Sequence, residues 1–269
     1  MDQTDGYIAV VKRDCPTCLL VEPVLKSIED AGCTLVVYSQ DDPNFPAVQQ
    51  RIDDTELEHS FHLNIETVPT LIQVKNGQEQ ARIIGWERNE WAQFTGIESL
   101  GAGLPPYRPG CGSKSVEPHL AEQLAIRFGG FKTTARQVEV PALEDDIEYC
   151  FERGWSDGLP VVPPTQERLY RMLAGTNRTS EEIIGQVPPN LVPLTVEKVA
   201  INAVMAGCKP EYMPVVLAAV EAALDPAFCL HGLLATTWLS GPMVVVNGPV
   251  REAIGMNLAD GISERGCEV

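Results

Sequence analysis

Short β-branched runs and one helical pattern alternate along the first forty residues. YIAVVK at 7–12 reads as a buried strand. Leu19, Leu20, Val24, Leu25 and Ile28 then recur at helical spacing, and the pattern stops at Ala31-Gly32, where glycine suits a C-cap. CTLVVYS at 33–39 is a second strand. Strand, helix, strand predicts a right-handed βαβ unit with parallel strands. The stretch 41–63 is polar, and short helices are expected from Pro46 and from Thr55. Pro69 opens a strand through Val74, a position where a strand tolerates proline. Asn76-Gly77 marks a hairpin turn, 81–86 is the returning strand, and a helix covers 87–97.

Residues 99–118 are rich in Gly, Pro and Ser and read as a linker or a long ordered loop. With a helix at 118–128, the segment 99–142 is expected to connect a domain at 1–98 to a module at 143–269. In that module helices are expected at 143–153, 166–174 (capped by Thr165), 196–207 and 214–224, with a buried strand at 242–250. The fold class is therefore α/β, with an α/β C-terminal module of uncertain fold. The polar tail after Met256 does not extend the apolar pattern, and the module is expected to be truncated there.

Composition narrows the partners. The chain has 269 residues, 44% hydrophobic and 21% charged, which excludes wholesale disorder. Its formal net charge is -17, and no basic face is visible for nucleic acid or an anionic membrane. The N-terminus lacks a positively charged signal region and no apolar run is long enough to span a bilayer, so a cytoplasmic protein is expected. Eight cysteines in a reducing compartment favour catalytic or metal roles over structural disulfides.

Cys15-Pro16-Thr17-Cys18 lies between the first strand and the first helix. A helix N-terminus offers unsatisfied N–H groups and the positive end of the dipole, which favour a thiolate. Cys15 is expected to be the more exposed, attacking thiol. Cys18, one turn into the helix, is expected to resolve the mixed disulfide. Lys12 and Arg13 add positive potential and Asp14 opposes it. The alternative use of a CxxC, half of a zinc site, wants a second ligand pair. None is present, and His59 with His62 reads as part of a surface helix. No metal or cofactor is expected.

Over residues 5–97 these features resemble the thioredoxin family: the strand, the CPTC, the helix, the second strand, and Val68-Pro69-Thr70 before the hairpin, with Gly85 before the last helix. The resemblance implies a three-layer fold with a mixed sheet. It also implies a cis peptide bond before Pro69 that packs on the disulfide and exposes backbone for substrate pairing. Asp14 stands where the family usually has tryptophan, and Ala9 where it has a buried, proton-relaying aspartate. Glu22, one turn past Cys18, is a candidate substitute. A narrower or intramolecular substrate is expected from these departures.

The second half carries weaker signals. Cys111, in Pro109-Gly110-Cys111-Gly112-Ser113-Lys114-Ser115, reads either as a reactive thiol that exchanges with Cys15–Cys18 or as a linker cysteine. Cys208 reads either as a thiol activated at a helix start or as a buried apolar residue. Cys150 is expected in a core, and Cys229 with His231 would share a face only in a strand. The proline-rich loop 155–165 either lines a ligand pocket or ties a helix to the core. Residues 143–256 weakly resemble a domain of UGSC-type (seleno)proteins, a redox-linked group, although Cys111-Gly112-Ser113-Lys114 is not that group's motif.

Thiol–disulfide exchange is the function expected, with Cys15, Cys18 and Pro69 at the site and Cys111 and Cys208 as secondary thiols. The partners would be a protein or small-molecule disulfide and a dithiol reductant, with neither nucleic acid nor membrane. Two other readings stand beside it. One is a binding or scaffold protein with a thioredoxin-like docking domain. The other is an enzyme centred on the second module, which CxxC only recycles.

Overall fold

In a computed structural model, residues 5–256 are described apart from 157, 238 and 239. Cys267, Asp157 and the expected truncation after Met256 lie outside the described residues. The chain separates into two compact units, Met1–Gly130 and Phe131–Val269.

The first unit begins β1 (Gly6–Val11), α1 (Pro16–Asp30), β2 (Leu35–Ser39), β3 (Arg51–Asp53), α2 (Glu58–His62) and β4 (Thr67–Val68). It continues with β5 (Thr70–Lys75), β6 (Gln78–Ile84), β7 (Trp86–Glu87), α3 (Arg88–Thr95), β8 (Tyr107–Arg108), β9 (Cys111–Gly112) and α4 (Pro118–Phe128). Five strands form a mixed sheet in the order β3-β2-β1-β5-β6. β1 and β2 pair in parallel, as do β2 and β3, while β5 runs antiparallel to both β1 and β6. Ala9, Val10 and Val11 are fully buried, which suits the continuous apolar run of a central strand. On α1 the buried residues Val21, Val24, Leu25 and Ile28 fall on one helical stripe. Each such side chain contributes roughly 1.5–3 kcal/mol by leaving water.

Two expectations are corrected here. No helix starts at Pro46: residues 46–50 are irregular, and the chain then adds β3 to the sheet edge beside β2. Arg51 fastens that turn, its guanidinium donating to Pro43 O and Pro46 O at 2.5 and 2.8 Å. Secondly, the first unit does not end near residue 98. β8 pairs with β7 and β9 with β4, while α4 packs on α2. Trp86, fully buried, donates from Nε1 to Pro105 O at 2.7 Å. The glycine- and proline-rich segment is thus an ordered strap, because its backbone polar groups find partners on the domain it crosses.

The second unit contains α5 (Asp146–Glu152), α6 (Gln166–Leu173), the hairpin of β10 (Ile183–Val187) and β11 (Val192–Thr195), α7 (Val196–Met205) and α8 (Met213–Leu224). Thr165 caps α6, its side chain accepting from Arg168 N. Leu169, Met172, Val199, Ala203, Met213 and Leu217 belong to its core. Glu197 on α7 is fully buried, yet its carboxylate is satisfied by Thr134 N at 2.9 Å, Ala135 N at 3.1 Å and the Thr134 hydroxyl. The strand expected at 242–250 is absent. Residues 242–247 are irregular and pair with no strand among the described residues, so Met243, Val244 and Val245 are 85%, 59% and 70% exposed. No single helix among the described residues is long and apolar enough to cross a membrane.

Candidate functional site

The loop leaving β1 is shaped by a carboxylate beyond β2. Asp41 accepts from Arg13 N at 2.6 Å and from Asp14 N at 2.8 Å. That delivers Cys15 to the N-cap of α1, with Pro16 in the first turn, where a missing N–H leaves nothing unpaired. The Cys15 sulfur accepts from Cys18 N at 3.4 Å, as a capping side chain does. Arg13 pairs with Asp42 and Lys12 Nζ donates to Gly112 O at 2.9 Å, so of these two cations Lys12 is the one attached to the strap.

The strap brings a third thiol. Register pairs Val68 with Cys111, and the Cys15 thiol lies 3.7 Å from Val68 O, to which it donates when protonated. The Cys18 and Cys111 thiols both help to hold Cys15 as a thiolate. The Cys18 thiol is the main reason that the Cys15 thiol is held down, to about 5, with the Cys111 thiol and the helix N–H groups assisting against burial. Burial first, and its thiol's interaction with the Cys15 sulfur second, push Cys18 far up against the Lys12 N–H. Burial likewise raises Cys111, helped by Cys15 and partly offset by Lys12. One thiolate with two protonated neighbours is the resting arrangement these opposed shifts define.

The strap is anchored on both sides of Cys111. Thr17 on α1 donates to Pro109 O at 2.6 Å, and Ser113 N donates to Glu66 O at 2.9 Å. Gln40 Nε2 donates to Ser60 Oγ at 2.8 Å and Ser113 Oγ at 2.6 Å, and Gln40 Oε1 accepts from Lys114 N at 3.1 Å. Ser115 Oγ donates to Ile65 O at 2.7 Å, and Asp54 accepts from the Ser60 hydroxyl at 2.5 Å. Close backbone approach requires glycine at 110: a Cβ there would lie 2.4 Å from Thr67 Cγ2 and 2.9 Å from Val68 O.

This covering overturns one expectation. Cys15 is not the exposed member of the pair; it and Cys18 are both fully buried, and only Cys111 of the three retains some exposure. Pro69 is buried, its carbonyl accepting from Gly85 N at 2.8 Å, and the Val68–Pro69 bond is cis. Glu22 does not serve Cys18 as a relay; its carboxylate accepts from Ala47 N at 3.0 Å.

Cys208 follows α7 and is half-buried against the second core, and burial raises its thiol, the opposite direction from activation at a helix start. Cys229 precedes a helical turn, and two-residue spacing on a helix does not bring it onto the face of His231. In the second unit a cleft of about 810 Å³ is lined by Tyr149, Cys150, Trp155, Pro164, Leu169 and Met205, with Arg136, Asp146 and Asn202 among its polar members. The loop 155–165 therefore does contribute to a pocket. Sequence reasoning missed the Gln40–Ser113 lock, since nothing in the spacing of two polar residues 73 positions apart signals it. No family model matches this chain, and no curated protein matches it.

Proposed function

We propose that the first unit is a thioredoxin-like module that carries out thiol–disulfide exchange through Cys15 and Cys18, on a protein or small-molecule disulfide with a dithiol as reductant. The observation that carries this reading is the Cys15 sulfur seated as the N-cap of α1 and accepting from Cys18 N at 3.4 Å. A thiolate so stabilised is a competent leaving group and a nucleophile that needs no separate base. Cys18, held protonated one turn away, closes the disulfide when Cys15 is taken into one. Stabilising the thiolate favours the reduced pair, which makes the Cys15–Cys18 disulfide a relatively oxidising one. The mixed sheet, the cis peptide bond before Pro69 and the helix following CPTC support the thioredoxin-like assignment.

The experiment is turnover of a model disulfide with dithiothreitol, comparing the full chain with Cys15→Ser and Cys18→Ser. Exchange by the pair predicts loss of catalysis in both variants. Undiminished turnover in Cys15→Ser would remove this reading and turn attention to the cleft of the second unit.

A further inference from the structure

We propose that Cys111 is the port of this thiol cluster: external disulfides exchange first with Cys111, and the oxidation then passes inward to Cys15 and Cys18. This rests on the exchange reading above and adds the residue that substrate meets. Three observations carry it. Cys15 and Cys18 are 0% exposed, whereas Cys111 is partly exposed. Cys111 on β9 pairs with Val68, whose carbonyl lies 3.7 Å from the Cys15 thiol, so the docked strap sets Cys111 beside the sulfur it would exchange with. The strap is pinned by Thr17, Gln40, Ser113 and Ser115, so this cover is a built part of the domain rather than a loose loop.

The sequence of bonds balances without another oxidant. Cys111 gives up its proton to solvent as its sulfur attacks an external disulfide RSSR, forming Cys111–S–S–R and expelling RS⁻, which takes a proton back. The Cys15 thiolate attacks the Cys111 sulfur, forming Cys15–Cys111 and expelling the second RS⁻, which is also protonated. Cys18 then attacks the Cys15 sulfur, forming Cys15–Cys18, and Cys111 departs with the proton Cys18 gives up. Two external thiols are formed and two protein thiols become one disulfide; Cys111 is regenerated. Attack by a strained or buried sulfur is limited by access as much as by pKa, which is why an exposed relay thiol changes the rate. The occupied edge of β4 also means that a substrate polypeptide cannot pair there while β9 is docked. A small disulfide is therefore the substrate class that suits the port.

The test uses hydroxyethyl disulfide as a neutral probe on the reduced full chain, with acid quenching and peptide mapping. Cys15→Ser should collect the mixed disulfide at Cys111. Cys18→Ser should accumulate a Cys15–Cys111 disulfide, detected as the loss of two hydrogens in a linked peptide pair. Cys111→Ser should still form Cys15–Cys18, but about tenfold more slowly or worse, as expected when the accessible thiol is removed. Adding Gly110→Ala to Cys111→Ser, which forces the strap from Val68, should restore part of that rate. Wild-type kinetics in Cys111→Ser, or a first adduct at Cys15 or Cys18 in the intact chain, would overturn the port while leaving exchange by the pair standing. Failure of the wild type to form Cys15–Cys18 at all would overturn both. The position of the first adduct in the intact chain keeps the question decidable even if Cys111→Ser disturbs the fold, because it is read with the strap unaltered.

Discussion

At the scale of single residues, three sulfurs share one negative charge, and the sharing is asymmetric because burial and hydrogen bonding act differently on each. Cys15 is held down by donors, while Cys18 and Cys111 are held up by burial and by the charge they help to stabilise. Thiolate absorbance of the reduced chain should therefore show an inflection near pH 5, well below the ordinary thiol value of 9.0. Cys18→Ala should move it strongly upward, and Cys111→Ala should move it less, since the Cys18 bond is the larger cause. The same shift enters stability. A thiol whose folded pKa is depressed contributes stability that is complete above its unfolded value and is lost as pH falls toward its folded value. The gain from Cys15 thus grows between pH 5 and 9. Cys18 and Cys111 act in the opposite sense above pH 9, where the unfolded chain releases protons that the folded one retains. The urea midpoint of reduced wild type minus that of Cys15→Ser should rise from pH 5 to pH 8; a flat difference would mean that Cys15 is not the thiolate. In the second unit, Glu197→Ala should lower stability by about 1–3 kcal/mol, because Thr134 N and Ala135 N lose their acceptor inside the protein. Chemical denaturation followed by far-ultraviolet circular dichroism can check that value.

At the scale of elements, the strap decides what the site can meet. Its hold depends on the absence of a side chain at 110, where a Cβ would press on Thr67 and the Val68 carbonyl. Gly110→Ala should lift β9 from β4 and speed iodoacetamide labelling of Cys15 by about tenfold or more, as a buried thiolate becomes reachable. Unchanged labelling, read by mass spectrometry, would mean that the strap moves without opening the site. The strap also shows where sequence stops being informative. α1 and the β5–β6 hairpin were legible because six or more residues repeat a period, and Asn76-Gly77 fixes the turn. β4, β7, β8 and β9 are two residues each and carry no period. β3 hides behind Pro46, and its exposed residues Ile52 and Asp53 lack the alternation of a half-buried strand. The run at 242–247 fails for the opposite reason: β-branched composition makes a strand only where another strand supplies hydrogen bonds. For the site, Cys15, Cys18 and Pro69 were readable from spacing and resemblance. That Cys111 would cover them, and reverse the expected order of exposure, depends on long-range pairing that no local pattern encodes.

At the scale of the whole molecule, the three thiols and the residues named above as pinning the strap all lie within Met1–Gly130. A fragment of residues 1–130 should therefore fold cooperatively and keep the low Cys15 inflection, whereas one of residues 1–98 should not behave as a smaller version of it. Removing 99–130 takes away Pro105 O from the Trp86 indole, Leu100 from the core and β9 from the edge of β4. It also exposes the face of Trp86 against which Gly101 packs so closely that a Cβ there would lie 2.5 Å from the ring. The shorter fragment should show red-shifted tryptophan emission, a lower urea midpoint and a Cys15 open to alkylation. The lost donor at Cys111 should also raise its thiolate inflection above that of 1–130. Each readout isolates a different consequence of the strap: emission reports the Trp86 cover, alkylation reports access to Cys15, and the inflection reports the third thiol. If 1–98 matches 1–130 in all three, the strap is an accessory to a domain complete without it. If only the inflection differs, Cys111 acts on Cys15 through its thiol and not through burial.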